Sequence, residues 1–171
     1  MSQNSPYNPT GEVRIINLPR MIFSSFRAIS ETPENDCTEV MDKLIRDHDL
    51  YNKPGFRHFG FNNPCPEPGK TEYGYEMWAV IPEDFGVPEP FVRKEFPGGL
   101  YAAIPTYLTN IAERWEQLFE WVQSNGTYKM DWNPDTLRNE LEECIDYITF
   151  NSKDTPESSK QLDLLIPVKR A

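Results

Sequence analysis

The segment Tyr75-Glu76-Met77-Trp78-Ala79-Val80-Ile81 alternates as a β-strand does, so successive side chains point to opposite faces. Tyr75, Met77, Ala79 and Ile81 form an apolar face suited to packing under a helix. Glu76 and Trp78 share the other face. A carboxylate beside an indole suits a flat cation, the first by charge and the second by cation–π contact. The plainer reading is a half-solvated strand face with Glu76 on the outside.

A second stretch, Leu141-Glu142-Glu143-Cys144-Ile145-Asp146-Tyr147, alternates likewise. Leu141, Ile145 and Tyr147 suggest the helix-facing side, which groups Glu142, Cys144 and Asp146 on the other and leaves Glu143 on the apolar-leaning face. Cys144 would be a nucleophile only with a base beside it; a half-buried strand thiol is the simpler reading. Trp115 belongs to a helical apolar stripe and reads as core or as part of a ligand wall, as do Tyr101 and Tyr107 on and after a strand. Phe23 and Phe26 read as core. His48 falls near a helix end. His58 lies on a short strand and is either an ordinary strand histidine or, where an internal repeat roughly pairs it with Glu142, a site residue.

Metal chemistry has little support. There is no His-Glu-x-x-His and no Cys/His cluster. Asp131, Asn133, Asp135 and Glu142 mimic a calcium loop, but Thr136 replaces the required glycine and Pro134 stiffens the turn. No phosphate-cradling Gly-rich loop or Gly-x-Ser-x-Gly elbow occurs. No cofactor is expected.

The elements that position these residues are short and heavily punctuated, with 16 prolines in 171 residues. Strands are expected at 12–16 and 21–29 on either side of Pro19, near 56–61, at 73–81, 91–96, 100–104, 141–150 and 162–168. Val40, Met41, Leu44, Ile45 and His48 define one amphipathic helix, and 111–122 a second, stopped by Ser124-Asn125-Gly126. The order strand, helix, strand, strand occurs twice. Leu18-Pro19 answers Phe96-Pro97, Phe61-Asn62-Asn63 answers Phe150-Asn151-Ser152, and Ile81-Pro82 answers Ile166-Pro167. Neither half buries enough alone, so the two should pair through their sheets.

Net charge is −10, with 27 acidic against 17 basic residues. That balance argues against gripping nucleic acid or an anionic membrane and favours cationic partners. No secretory signal or apolar span is present, and three scattered cysteines indicate no disulfide framework, so a cytoplasmic setting is expected.

Together, residues 73–82, Pro97-Gly98-Gly99-Leu100-Tyr101-Ala102, residues 112–121, Leu141-Glu142-Glu143 and Asp163-Leu164-Leu165-Ile166-Pro167-Val168 resemble the GyrI-like family. This is the effector-binding domain of bacterial transcription activators of the BmrR, Rob and SbmC type. The resemblance spans about 12–169. It implies an α+β fold in which two pseudo-twofold-related strand-helix-strand-strand modules form an antiparallel sheet with a central ligand groove. Residues 1–11 would be a flexible N-terminal segment and 12–171 a single domain, module one about 12–88 and module two about 89–171. No fused DNA-binding helix-turn-helix is expected.

The family's strand glutamate matches Glu142, which is favoured over Glu143. Cys144 stands where a tyrosine is usual, and Pro105-Thr106-Tyr107 where a glycine is common. The implied groove residues are Glu76, Trp78, Glu142, Trp115, Tyr101, Tyr107 and His58. Three functions stay open. One is a stand-alone module capturing small aromatic, often cationic, ligands or drugs. Another is a hydrolase opening strained cyclopropane-type toxins, with Glu76 and Glu142 as the catalytic acid and base. The third is a gyrase-modulating or regulator interaction module with a protein partner.

Overall fold

Pro19 and Pro97 mark the places where the chain passes from one compact unit to the other. The computed structural model describes residues 12–171; the expectation of a flexible segment at 1–11 lies outside the described residues. Strand β1 (Arg14–Leu18) pairs with β6 (Gly99–Tyr107), whereas β2 (Met21–Ser30), directly after Pro19, pairs with β4 (Tyr73–Val80) and β5 (Val92–Phe96). Two compact units result, Arg20–Pro97 and the described residues up to Pro19 together with Gly98–Ala171. The boundary expected near 88/89 thus lies at 97/98. The physical reason is that β5 completes the first unit's sheet and β1 the second's.

The unit 20–97 has strand order β3 (His58–Asn62), β4, β2, β5, all antiparallel. Helix α1 (Pro33–Asp47) begins at a proline that needs no amide partner and carries Glu34 and Asp36 in its first turn and Arg46 in its last, complementing the helix dipole. Its buried residues Cys37, Met41, Leu44 and Ile45 form one stripe that packs on β2 and β4. Cys37 donates to the Tyr75 carbonyl at 2.9 Å, and burial pushes its thiol up to about 11.

The other unit repeats the order with β8 (Leu141–Cys144), β9 (Gln161–Arg170), β6 and β1. Helix α2 (Ile111–Ser124) lays Leu118 and Val122 on Ala102, Ile104, Leu164, Ile166 and Val168. It stops as expected at Asn125. The Asn125 amide donates to the Trp121, Val122 and Tyr128 carbonyls, and its oxygen accepts from the Thr127 and Tyr128 amides. That knot launches a strand not foreseen from the sequence, β7 (Tyr128–Met130), which pairs with the end of β9.

The strand expected over 141–150 ends at Cys144. Asp146 caps a short helix, α3 (Tyr147–Asn151), accepting from the Thr149 amide at 3.2 Å and the Thr149 hydroxyl at 2.8 Å. These bonds hold its carboxyl below the usual range. Local capping thus overrides the apolar alternation. The correspondence of 61–63 with 150–152 also falls, since the first ends a strand and the second a helix. The strand-helix-strand-strand grammar itself is present in both units, and the fold is α+β. No helix among the described residues is long and apolar enough to cross a membrane.

Candidate functional site

The face of the first unit's sheet turned away from α1 collects five rings from four strands. β2 supplies Phe23, β3 supplies Phe59 and Phe61, β4 supplies Trp78 and β5 supplies Phe96. Trp78 is wholly buried. It stacks on Phe23 at 4.8 Å and meets the edge of Phe61 at 4.8 Å, with Phe96 at 6.1 Å. The expected sharing of a face by Glu76 and Trp78 is present, and it is an interior face.

Glu76, only 3% exposed, places a carboxylate on this aromatic surface. Its Oε2 accepts from Trp78 Nε1 at 2.6 Å, Lys94 Nζ at 2.7 Å and Ser25 Oγ at 3.3 Å, and its Oε1 from Asn63 Nδ2 at 3.1 Å. Each donor has a structural reason to be there. Ser25 pairs directly with Trp78 across β2 and β4, so its hydroxyl shares the face. Asn63 continues the β3 alternation and is clamped by the Asn63 amide to Gly74 carbonyl and Gly74 amide to Pro64 carbonyl bonds, both 2.9 Å. A Cβ at Gly74 would lie 1.8 Å from the Asn63 carbonyl oxygen, so only glycine fits there. Lys94, on β5, pairs with Phe23 and reaches over β2 to the carboxylate.

Sequence reasoning missed Ser25, Asn63 and Lys94. Only Lys94 carries a sequence signal, a lone cation alternating with Phe96, and that signal means something only once β5 is known to sit beside β2.

His58 is not brought to this cluster. It pairs with Ala79 on the α1 side, and its Nδ1 lies 3.1 Å from the Trp78 carbonyl. Burial lowers its pKa from 6.5 to about 4, only partly offset by that bond and by Asp42. The folded protein therefore holds His58 neutral, while the unfolded chain takes up a proton below 6.5. The corresponding stability is complete above the unfolded value and is lost as pH falls toward the folded one. Acidification should thus cost about 3 kcal/mol in total. Urea unfolding between pH 6.5 and about 5, before most carboxylates titrate, should show this slope in the native chain and a flatter one in His58→Gln. Equal slopes would refute the assignment.

The remaining candidates lie in the other unit. Glu142 pairs with Leu164, a core residue beneath α2, whereas Glu143 pairs with Asp163 on the opposite face. The preference for Glu142 is therefore corrected. It drew its parity from Ile145 and Tyr147, which lie beyond the strand's end. Glu143 shares its face with Tyr101, wholly buried under the Arg138 guanidinium at 5.1 Å, and with Asp163, paired to Arg14 at 2.8 Å. Burial raises the Tyr101 hydroxyl's pKa. Trp115 packs against the α2 core with Phe119 at 5.8 Å, on the face opposite Tyr101. Tyr107 ends β6 and is 45% exposed. Burial pushes the Cys144 thiol up to about 12, which keeps it protonated and poorly nucleophilic. Asp131 of the calcium-like run pairs with Arg138 at 3.2 Å and Lys169 at 3.6 Å, and Asn133 caps Asp135.

The family model for Cass2, described as an integron-associated effector binding protein, matches residues 14–168. The EcmrR C-terminal domain superposes with a TM-score of 0.63 at 19% identity, covering 94% of this chain and 98% of that domain. An uncharacterized conserved protein from Listeria innocua gives 0.65 at 10% identity, covering 98% and 97%. SAV2435, solved bound to tetraphenylphosphonium, gives 0.54 at 13% identity, covering 92% and 94%. The chain spans 58% of the EcmrR chain seen in a DNA complex. No curated protein sequence matches it significantly. These likenesses confirm the GyrI-like fold.

Proposed function

Because the chain belongs to the Cass2 family of integron-associated effector-binding proteins, we propose that it captures small aromatic molecules on the ring-lined face of the unit 20–97, with Glu76 as the polar anchor. The observation that carries this reading is the ion-paired carboxylate beside a five-ring cluster. A buried carboxylate tied to a partly exposed ammonium adds less to stability than apolar packing would, so its presence there favours recognition over structure. The rings, 0–8% exposed, would offer faces to stack on to a ligand that enters among them, and the carboxylate network offers orientation. SAV2435 in its complex with tetraphenylphosphonium is a precedent for an aromatic ligand, there a cation, on this fold. The three cysteines, Cys37, Cys65 and Cys144, are free thiols, which supports a reducing, cytoplasmic setting.

The hydrolytic reading with Glu76 and Glu142 as acid and base draws less support. Both Glu76 oxygens act as acceptors, an arrangement suited to an anchor or a base but not to a proton donor.

The test is a titration of acridine by its own fluorescence. Binding should saturate near micromolar concentration, about −8 kcal/mol. It should weaken about tenfold or more in Phe61→Ala and Glu76→Gln, and not in Phe119→Ala, which alters the α2 core of the other unit. No saturable binding by the folded protein, or equal affinity in all variants, would sink the reading.

A further inference from the structure

We infer that Lys94 sets the charge preference of this site: it supplies the counterion to Glu76 internally, so that the ring-lined face takes neutral aromatic molecules carrying a hydrogen-bond acceptor, not aromatic cations. The inference rests on the aromatic-binding reading and deepens it by naming the ligand class.

Four observations carry it. The Lys94 ammonium sits 2.7 Å from Glu76 Oε2, within charge-assisted hydrogen-bond distance. The same oxygen already accepts from Trp78 and Ser25, which leaves an incoming cation only Oε1, itself bonded to Asn63. The carboxylate is 4% exposed at its side chain and Lys94 28%, so the ammonium is the more solvent-accessible end of the pair. Finally, Lys94 is tethered to β5, beside the strand that separates it from Glu76.

Their consequences are chemical. A diffusing cation must displace a compact ammonium held at the effective concentration of an intramolecular partner, millimolar or more. A delocalised aromatic cation makes a weaker point contact than that ammonium does. An ammonium has three donors, and Glu76 accepts from this one. Those left over are available to a ring nitrogen or carbonyl on a neutral ligand stacked against the rings. Anions fare worse than neutral acceptors, because Glu76 offsets the ammonium and the whole chain carries −10.

Acridine and N-methylacridinium form the decisive probe pair. They share a flat tricycle, but one is a neutral acceptor near neutral pH and the other a fixed cation with that acceptor blocked. The native chain should bind acridine at least about tenfold more tightly. Lys94→Met keeps the stem, removes the ammonium and exposes Glu76 as an anion, and should invert the order, shifting the affinity ratio about a hundredfold. Lys43→Met removes the same charge from the exposed face of α1 and should leave the ratio unchanged. The double variant Glu76→Gln/Lys94→Met removes both charges and should bind the two probes about equally. It also decides the matter, with the native ratio, if Lys94→Met alone fails to fold.

A native preference for N-methylacridinium overturns the inference and leaves the aromatic site standing. So does a ratio that Lys94→Met does not move. If neither probe binds any variant, the aromatic-binding reading fails and the inference falls with it.

Discussion

Trp78→Ala should lower the stability of the protein by about 4 kcal/mol, the range for emptying a large aromatic from a packed interior, and should abolish acridine binding. The indole is wholly buried, stacked on Phe23 and edged by Phe61, so truncation opens a cavity rather than trimming a surface. It also removes the 2.6 Å donor to Glu76, leaving a buried carboxylate with fewer partners, a separate cost of about 1–3 kcal/mol. Trp78→Phe separates the two losses. It retains most of the stacking area and deletes only the donor, so it should cost no more than about half as much. Urea unfolding with matched m-values would check both. Equal losses for the two variants would mean that the hydrogen bond dominates; a small loss for Trp78→Ala would mean that the cluster is loosely packed.

This dual duty explains what was legible in the sequence. Strand parity places Glu76 and Trp78 on one face, because a two-residue period survives any tertiary arrangement. It does not say whether that face is wet. The enclosing rings come from Phe23, Phe59, Phe61 and Phe96, on three other strands. Only the register brings them together. Lys94 was hidden for the same reason. In chain order it stands 18 residues past Glu76, beyond a proline-rich turn, and only the pairing of β5 with β2 delivers it to the carboxylate.

The second helix was read nearly to its ends and the first from Val40 onward, since each carries an apolar stripe over that stretch. The segment after Cys144 was misread because Ile145, Tyr147 and Ile148 keep an apolar rhythm through a turn that Asp146 and Thr149 control by capping. The choice between Glu142 and Glu143 inherited that error, since extending a strand beyond its true end lets the wrong residues set its parity.

The exchange of β1 and β5 also locates the second large effect, at Arg138. This guanidinium donates to the carbonyls of Gly98, Leu100 and Val168, at 3.3, 2.9 and 3.0 Å. Gly98 and Leu100 flank the start of β6, and Val168 lies near the end of its neighbour β9. Arg138 also pairs with Asp131 and covers the Tyr101 ring. Gly99 between these carbonyls has φ near +137°, and a Cβ there would lie 2.1 Å from Arg138 Nη1, so glycine lets the guanidinium close on the strand. Arg138→Ala strands buried carbonyls where Pro97 hands the chain to β6. It should destabilise the unit 98–171 by about 3–5 kcal/mol. Arg138→Lys should recover little, because one ammonium on a flexible stem cannot span three carbonyls and a ring as a planar fork does. Hydrogen exchange would localise the damage. Faster exchange in β6 and β9 with β2 and β4 unchanged is the expected result. A uniform loss would show instead that the two units unfold as one, and a near-native Arg138→Lys would reduce the role of the guanidinium to charge alone.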